Sequence, residues 1–158
     1  MAHNVVKAKL QHVVDMKDRM RIEDQKEMYN FWGMTPEQGL GISFLTSQLV
    51  WTAFYKNRPC AMFGVGKDMK IANGGTPWLL ATDEFKYITK GFLKDTEYYM
   101  GQCYNLYPHL ENIVDPTNVK AIRWIKFAEF TLSNPLMVNG YPAITFKGNK
   151  EKWLSDLV

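Results

Sequence analysis

Two cysteines and three histidines are all that 158 residues provide of the usual metal-ligating and redox side chains. Cys60 and Cys103 stand far apart with no second pair, so neither a disulfide framework nor a four-ligand zinc site is encoded. Buried, inert thiols are the expected state. The histidines show no helical or metal-ligand spacing, and no metal site is expected. Long apolar runs are missing too. Nothing approaches the roughly 20 residues that a membrane-crossing helix needs, and the N-terminal stretch lacks the pattern of a signal peptide, so a cytoplasmic setting is expected. Charge of one sign is scarce: 19 Lys and Arg face 16 Asp and Glu, a net of +3. Without a basic stripe interleaved with aromatics, neither nucleic acid nor membrane is an expected partner. Glycine-rich phosphate loops are absent as well. Gly64-Val65-Gly66 and Asn73-Gly74-Gly75 open no helix after a strand, so they read as turns or as places of close backbone approach.

What is present is apolar and aromatic substance, 46% and 14% of the chain, enough for a real core. Residues 1–150 read as one domain and residues 151–158 as a short C-terminal tail. Val5 to Leu10 has strand character. Val13 to Trp32 is helical with a bend near Arg21, its apolar residues falling in two stripes: Val13, Met16, Met20, then Ile22, Met28, Tyr29, Trp32. The charges between, Asp15 to Glu27, are of mixed sign and read as a solvated face. Gly33 suits a helix C-terminus. Thr35-Pro36-Glu37-Gln38 opens another helix with a capping box and proline at its first position, ending near Thr46. Val50–Tyr55 and Pro59–Val65 form an antiparallel hairpin.

The centre of the chain runs from Pro77 to Phe130. Pro77 to Thr82 is a buried strand, and Phe85 to Leu106 a helix-periodic segment. Leu110 to Val114 is a second strand, and Val119 to Phe127 another helix. A strand, a crossover helix and a strand place the two strands in parallel in one sheet. A small-molecule site belongs where that pair ends. Phe130–Leu132 and Ala143–Phe146 close the sheet, with turn formers at Asn134-Pro135 and Asn139-Gly140. Trp51, Trp78 and Trp124 fall inside elements and read as core. The expected fold class is a mixed α/β (α+β) sheet, mostly antiparallel with a parallel pair in its middle and helices on both faces.

This order resembles the GNAT acetyltransferase fold, the local match being Asn118-Val119-Lys120-Ala121 through Arg123-Trp124 to Phe130. Trp78-Leu79-Leu80-Ala81-Thr82-Asp83, Leu110-Glu111-Asn112-Ile113-Val114-Asp115, Asp18-Arg19-Met20-Arg21 and Ala61-Met62-Phe63-Gly64 add to it. Together they resemble a GNAT-like family of short-tailed bacteriophages classed with internal virion proteins. The resemblance implies a role in virion assembly or inside the particle, in the virion or the host cytoplasm. Phage structural proteins or further copies of the chain would be its partners.

Active GNAT enzymes hold the pyrophosphate of acetyl-coenzyme A on a glycine-rich turn after the fourth strand. Clustered amides at a helix N-terminus are what such an anion needs. Here that turn is Thr82-Asp83-Glu84-Phe85-Lys86-Tyr87, with no glycine and two carboxylates. Where the enzymes place a tyrosine acid stands Ile125, and Glu129 replaces the glycine before Phe130. The expectation is therefore a non-catalytic protein with no catalytic residue and no cofactor. The alternative is an acetyl-CoA-dependent N-acetyltransferase acting on a host or phage amine. The resemblance then implies a cofactor site at Leu80, Ala81, Thr82 and Asn118, with Tyr104, Tyr107 or water as acid. Glu111, Asp115 and His109 are candidate bases, though Asp115 reads first as a helix cap and His109 as a surface residue. A host-takeover binding protein is a further alternative. Trp153, Leu154 and Leu157 are the candidate contact patch, or else a tail packed on its own domain.

Overall fold

In the computed structural model, which describes residues 4–157, one seven-stranded sheet in the order β1-β2-β3-β4-β5-β7-β6 carries the whole molecule. Met1 to His3 and Val158, parts of the expected domain and tail, lie outside the described residues. The strands are β1 (Asn4–Lys7), β2 (Ser47–Tyr55), β3 (Arg58–Lys67), β4 (Gly74–Ala81), β5 (His109–Val114), β6 (Thr131–Val138) and β7 (Tyr141–Asn149). Helices α1 (Leu10–Met16), α2 (Ile22–Trp32) and α3 (Pro36–Thr46) cover one face. The other carries a 3-10 segment (Asp83–Tyr87), then α4 (Thr89–Lys94), α5 (Thr96–Leu106), α6 (Val119–Phe127) and α7 (Lys150–Asp156). The strands are antiparallel except β4 and β5.

Local chemistry sets most boundaries as expected. Gly33 ends α2 in the left-handed region, φ 64°. Thr35 and Gln38 form the capping box of α3, with Pro36 at its first position. Asn139 and Gly140, φ 50° and 82°, make the two-residue turn between β6 and β7. At Gly64 a Cβ would stand 2.1 Å from the Leu49 carbonyl, and β2 shifts register there, between Ser47 and Leu49.

Several expectations are corrected. The buried stripe of α2 is Asp24, Met28 and Phe31, whereas Ile22, Tyr29 and Trp32 are exposed. The crossover is three pieces rather than one helix, because a 3-10 segment aligns Phe85 and Ile88 at three-residue spacing and buries both. Gly74 and Gly75 belong to β4; Gly75 leaves room for the Tyr107 ring, which an added Cβ would meet at 2.6 Å. Asn134-Pro135 lies within β6 at a register shift, tolerated because β6 is an edge. Trp51, Trp78 and Trp124 are half-buried rather than fully enclosed. The segment after β7 is α7, capped by Asn149. Its Trp153 is buried, its ring tilted against Tyr104 with centroids 5.2 Å apart, so of the candidate contact patch only Leu154 and Leu157 are exposed.

Candidate functional site: the wedge between β4 and β5

Strands β4 and β5 pair only at Gly74–His109 and Gly75–Leu110, and beyond Leu110 they part. Which groups of β4 line the gap follows from one bond. Thr82 donates its N–H to the Cys60 carbonyl on β3 at 2.9 Å. Backbone groups alternate sides along a strand. Trp78 and Leu80 therefore also turn theirs to β3, and Pro77, Leu79 and Ala81 face the gap. Asn112 of β5 donates its amide to the Pro77 carbonyl at 2.7 Å. The Ala81 N–H donates to the Asp24 carboxylate at 2.8 Å, and the Ala81 carbonyl accepts the Arg21 N–H at 2.9 Å. Leu79 is the outward position that these contacts leave free.

Helix α2 closes the mouth of the wedge. Arg21, Asp24 and Glu27 follow at three-residue intervals, so they share one side of the helix. Asp24 is 3% exposed and accepts the Arg21 Nε–H at 2.8 Å. Burial raises its carboxyl above the ordinary range, against the pull of Arg21. Glu27 reaches the far strand: its Oε1 accepts the Asp115 N–H at 2.9 Å and the Asn118 Nδ2–H at 3.2 Å. Burial, the largest cause, pushes the Glu27 carboxyl up to about 7, with Asp24 and Asp115 adding to it. Asp24 ties the helix to β4 and Glu27 ties it to the end of β5. These two carboxylates are not the solvated face that their mixed-sign surroundings suggest.

Between β2–β4 and the helices α4 to α6 is a cavity of about 30 Å³, walled by Trp51, Phe63, Trp78, Phe92, Tyr99 and Trp124 among others. Thr96 and Trp124 also line it, and the Thr96 Oγ1 and Trp124 Nε1 are buried without a hydrogen-bond partner. Such a volume takes a water-sized guest. At the end of β4 the Glu84 carboxylate lies 3.1 Å from Arg19 and 3.8 Å from Arg58. Arg19 also bonds Asp15 and the Pro59 carbonyl. That acid is anchored in the turn by cations of the chain itself.

The sequence-predicted residues are placed as follows. The Leu80 backbone faces β3, and the Ala81 edge is engaged by α2. Thr82 is buried against Cys60. Asn118 caps α6 through the Ala121 N–H and meets Glu27. Ala81 and Asn118 thus meet the same helix from opposite sides of the gap. Asp115 does not cap α6; its Oδ1 accepts the Thr117 N–H and hydroxyl within the turn. Glu111 pairs with Lys147 at 3.3 Å, and His109 is exposed. Tyr104 is buried and Tyr107 donates to Gln48. Ile125 is buried. Leu79, Asn112, Arg21, Asp24 and Glu27 were not singled out as site residues. The available signal was Asp24 at four- and seven-residue spacing before Met28 and Phe31. Among the described residues no cluster of three or more His, Cys, Asp and Glu could hold a metal. No described helix is long and apolar enough to cross a membrane.

No protein-family model and no curated protein sequence matches the chain. Solved structures do. An aminoglycoside acetyltransferase AAC(6')-Ib in complex with coenzyme A superposes over 99% of both chains, at TM-score 0.65 and 14% identity. A ribosomal-protein-S5-alanine acetyltransferase from Vibrio fischeri covers 97% of this chain with 96% of its own, at TM-score 0.62 and 14% identity. A GNAT-family acetyltransferase from Streptococcus pneumoniae covers 93% with 99% of its own, at TM-score 0.61 and 10% identity. With the sheet order above, these likenesses establish the GNAT acetyltransferase fold. In this chain the β4 edge at Ala81 is bonded to α2, and the Glu84 carboxylate is held by Arg19 and Arg58 in the turn after β4.

Proposed function

We propose that this is a non-catalytic GNAT-fold protein of a short-tailed phage, acting through protein contacts in virion assembly or within the particle. The phage context is supported by the sequence motifs from Asp18 to Phe130, and the non-catalytic role by the wedge. The observation that carries the reading is the Ala81 N–H, an outward amide of β4, bonded to the buried Asp24 carboxylate. A carboxylate on that amide repels the developing negative charge that a catalytic site must attract. Calorimetric titration with coenzyme A and acetyl-coenzyme A should give a Kd weaker than about 1 mM, about 4 kcal/mol. Mass spectrometry of purified particles should find the chain at stoichiometric abundance. Micromolar coenzyme binding would overturn the non-catalytic half, and absence from both particles and assembly intermediates the other.

One observation favours a second reading, an N-acetyltransferase. Glu27 holds a carboxyl that titrates near neutrality beside Asp115 and Asn118, in the range useful for taking a proton from an amine. The same titration separates the two readings.

A further inference from the structure

Helix α6 turns five consecutive exposed positions of its outer surface to solvent: Val119, Lys120, Arg123, Lys126 and Phe127. At 100° per residue these fall within about 120° of the helix circumference, opposite buried Ile125. An ordinary solvated helix face mixes both signs of charge. This one holds three cations and no acid. Among the described residues none of the three has a salt bridge, whereas Arg19, Arg21, Arg58 and Lys147 each have at least one. Of the three charges only Lys126, in the last turn, suits the helix dipole. The first turn has no acidic residue, and Lys120 there works against the helix dipole. Two large apolar side chains flank the cations, Val119 at 61% exposure and Phe127 at 56%.

We infer that this face of α6 is a docking surface for an acidic, amphipathic helical segment of a partner protein. Charge complementarity selects the occupant. Lys120, Arg123 and Lys126 repeat about every 4.5 Å along the axis, a spacing that carboxylates three or four residues apart on a second helix can match. The apolar residues at both ends need apolar partners, which a phosphate backbone does not supply. Screening by salt acts on such exposed pairs, while Phe127 and Val119 supply the part of the contact that salt leaves intact. The inference rests on the reading of the protein as a binding module, and it specifies the surface and the partner's chemistry.

The test is fluorescence anisotropy with a labelled helical peptide of Glu, Ala and Leu, its Glu at i, i+3 and i+7. An oligothymidylate of equal charge and phosphatidylserine vesicles are the competitors. The peptide should bind the full chain, more weakly as salt rises. The triple variant Lys120→Glu, Arg123→Glu, Lys126→Glu should lose at least about tenfold in affinity with its circular dichroism unchanged. Phe127→Ala, which keeps the charges, should also weaken binding. No peptide binding, binding indifferent to charge reversal, or tighter binding of the oligothymidylate or the vesicles would overturn the inference. Coenzyme titration reads the wedge and not α6, so a failure here is distinguishable from a failure of the proposed function.

Discussion

Glu129 follows α6 with φ 67°, a left-handed conformation that disfavours side chains. The helix end requires it: the Phe130 N–H bonds the Ile125 carbonyl at 3.2 Å and the Glu129 N–H the Lys126 carbonyl at 3.1 Å. That double closure needs a left-handed residue between. Glu129→Gly should therefore stabilise the protein by about 0.5–1 kcal/mol in urea denaturation; a loss of stability would mean that the Glu129 side chain holds something its exposure hides. The departure from the GNAT glycine was legible in sequence. Its cost was not, because φ is a property of the folded backbone. Glu27 shows the reverse difficulty. In sequence it is one of many charges on a helix, and only the packing of α2 across the strand ends reveals a half-buried carboxylate.

Among the elements, α2 does most to set this wedge apart from an open one. Through Asp24 it bonds β4 and through Glu27 the end of β5. The second link is pH-sensitive. The Glu27 carboxyl moves from 4.5 to about 7 on folding, so the folded chain holds this proton more tightly than the unfolded one. The stability that the group lends is fully present below about 4.5 and is lost as pH rises through about 7. Glu27→Gln keeps an oxygen for the Asp115 N–H. It should gain roughly 2–3 kcal/mol over the natural chain near pH 8 and little near pH 4. Urea titrations at both pH values measure this; a difference independent of pH would remove burial of Glu27 as the cause. The hairpins, the capped start of α3 and the Asn139-Gly140 turn could be placed from sequence because each is decided by residues a few positions apart. The split of the crossover at Ile88 and Asp95 could not. Phe85, Ile88 and Phe92 satisfy a helical period on paper, and the choice of a 3-10 start is made by the core they enter.

Across the molecule, the far end of the chain is part of the core. Trp153 packs on Tyr104 beside Gly101, and the Lys150 N–H bonds the Pro108 carbonyl, which makes residues 150–157 a piece of the domain. Trp153→Ala should cost about 3–5 kcal/mol in urea; a loss below about 1 kcal/mol would mean that α7 is dispensable. An eight-residue tail with four apolar side chains gave no way to choose between packing and presentation. That choice depends on whether a surface elsewhere, here the Tyr104 ring, is left uncovered. The amino-acid sequence alone determined the order of the strands and the parallel pair in the middle of the sheet, because periodicity and turn chemistry are local. Only the tertiary structure decided that α2 bridges the parted ends of β4 and β5. The bonds that do it join Asp24 to Ala81 and Glu27 to Asp115, groups far apart along the chain. Neither carboxylate differs in sequence from a solvated one until the fold takes its water away.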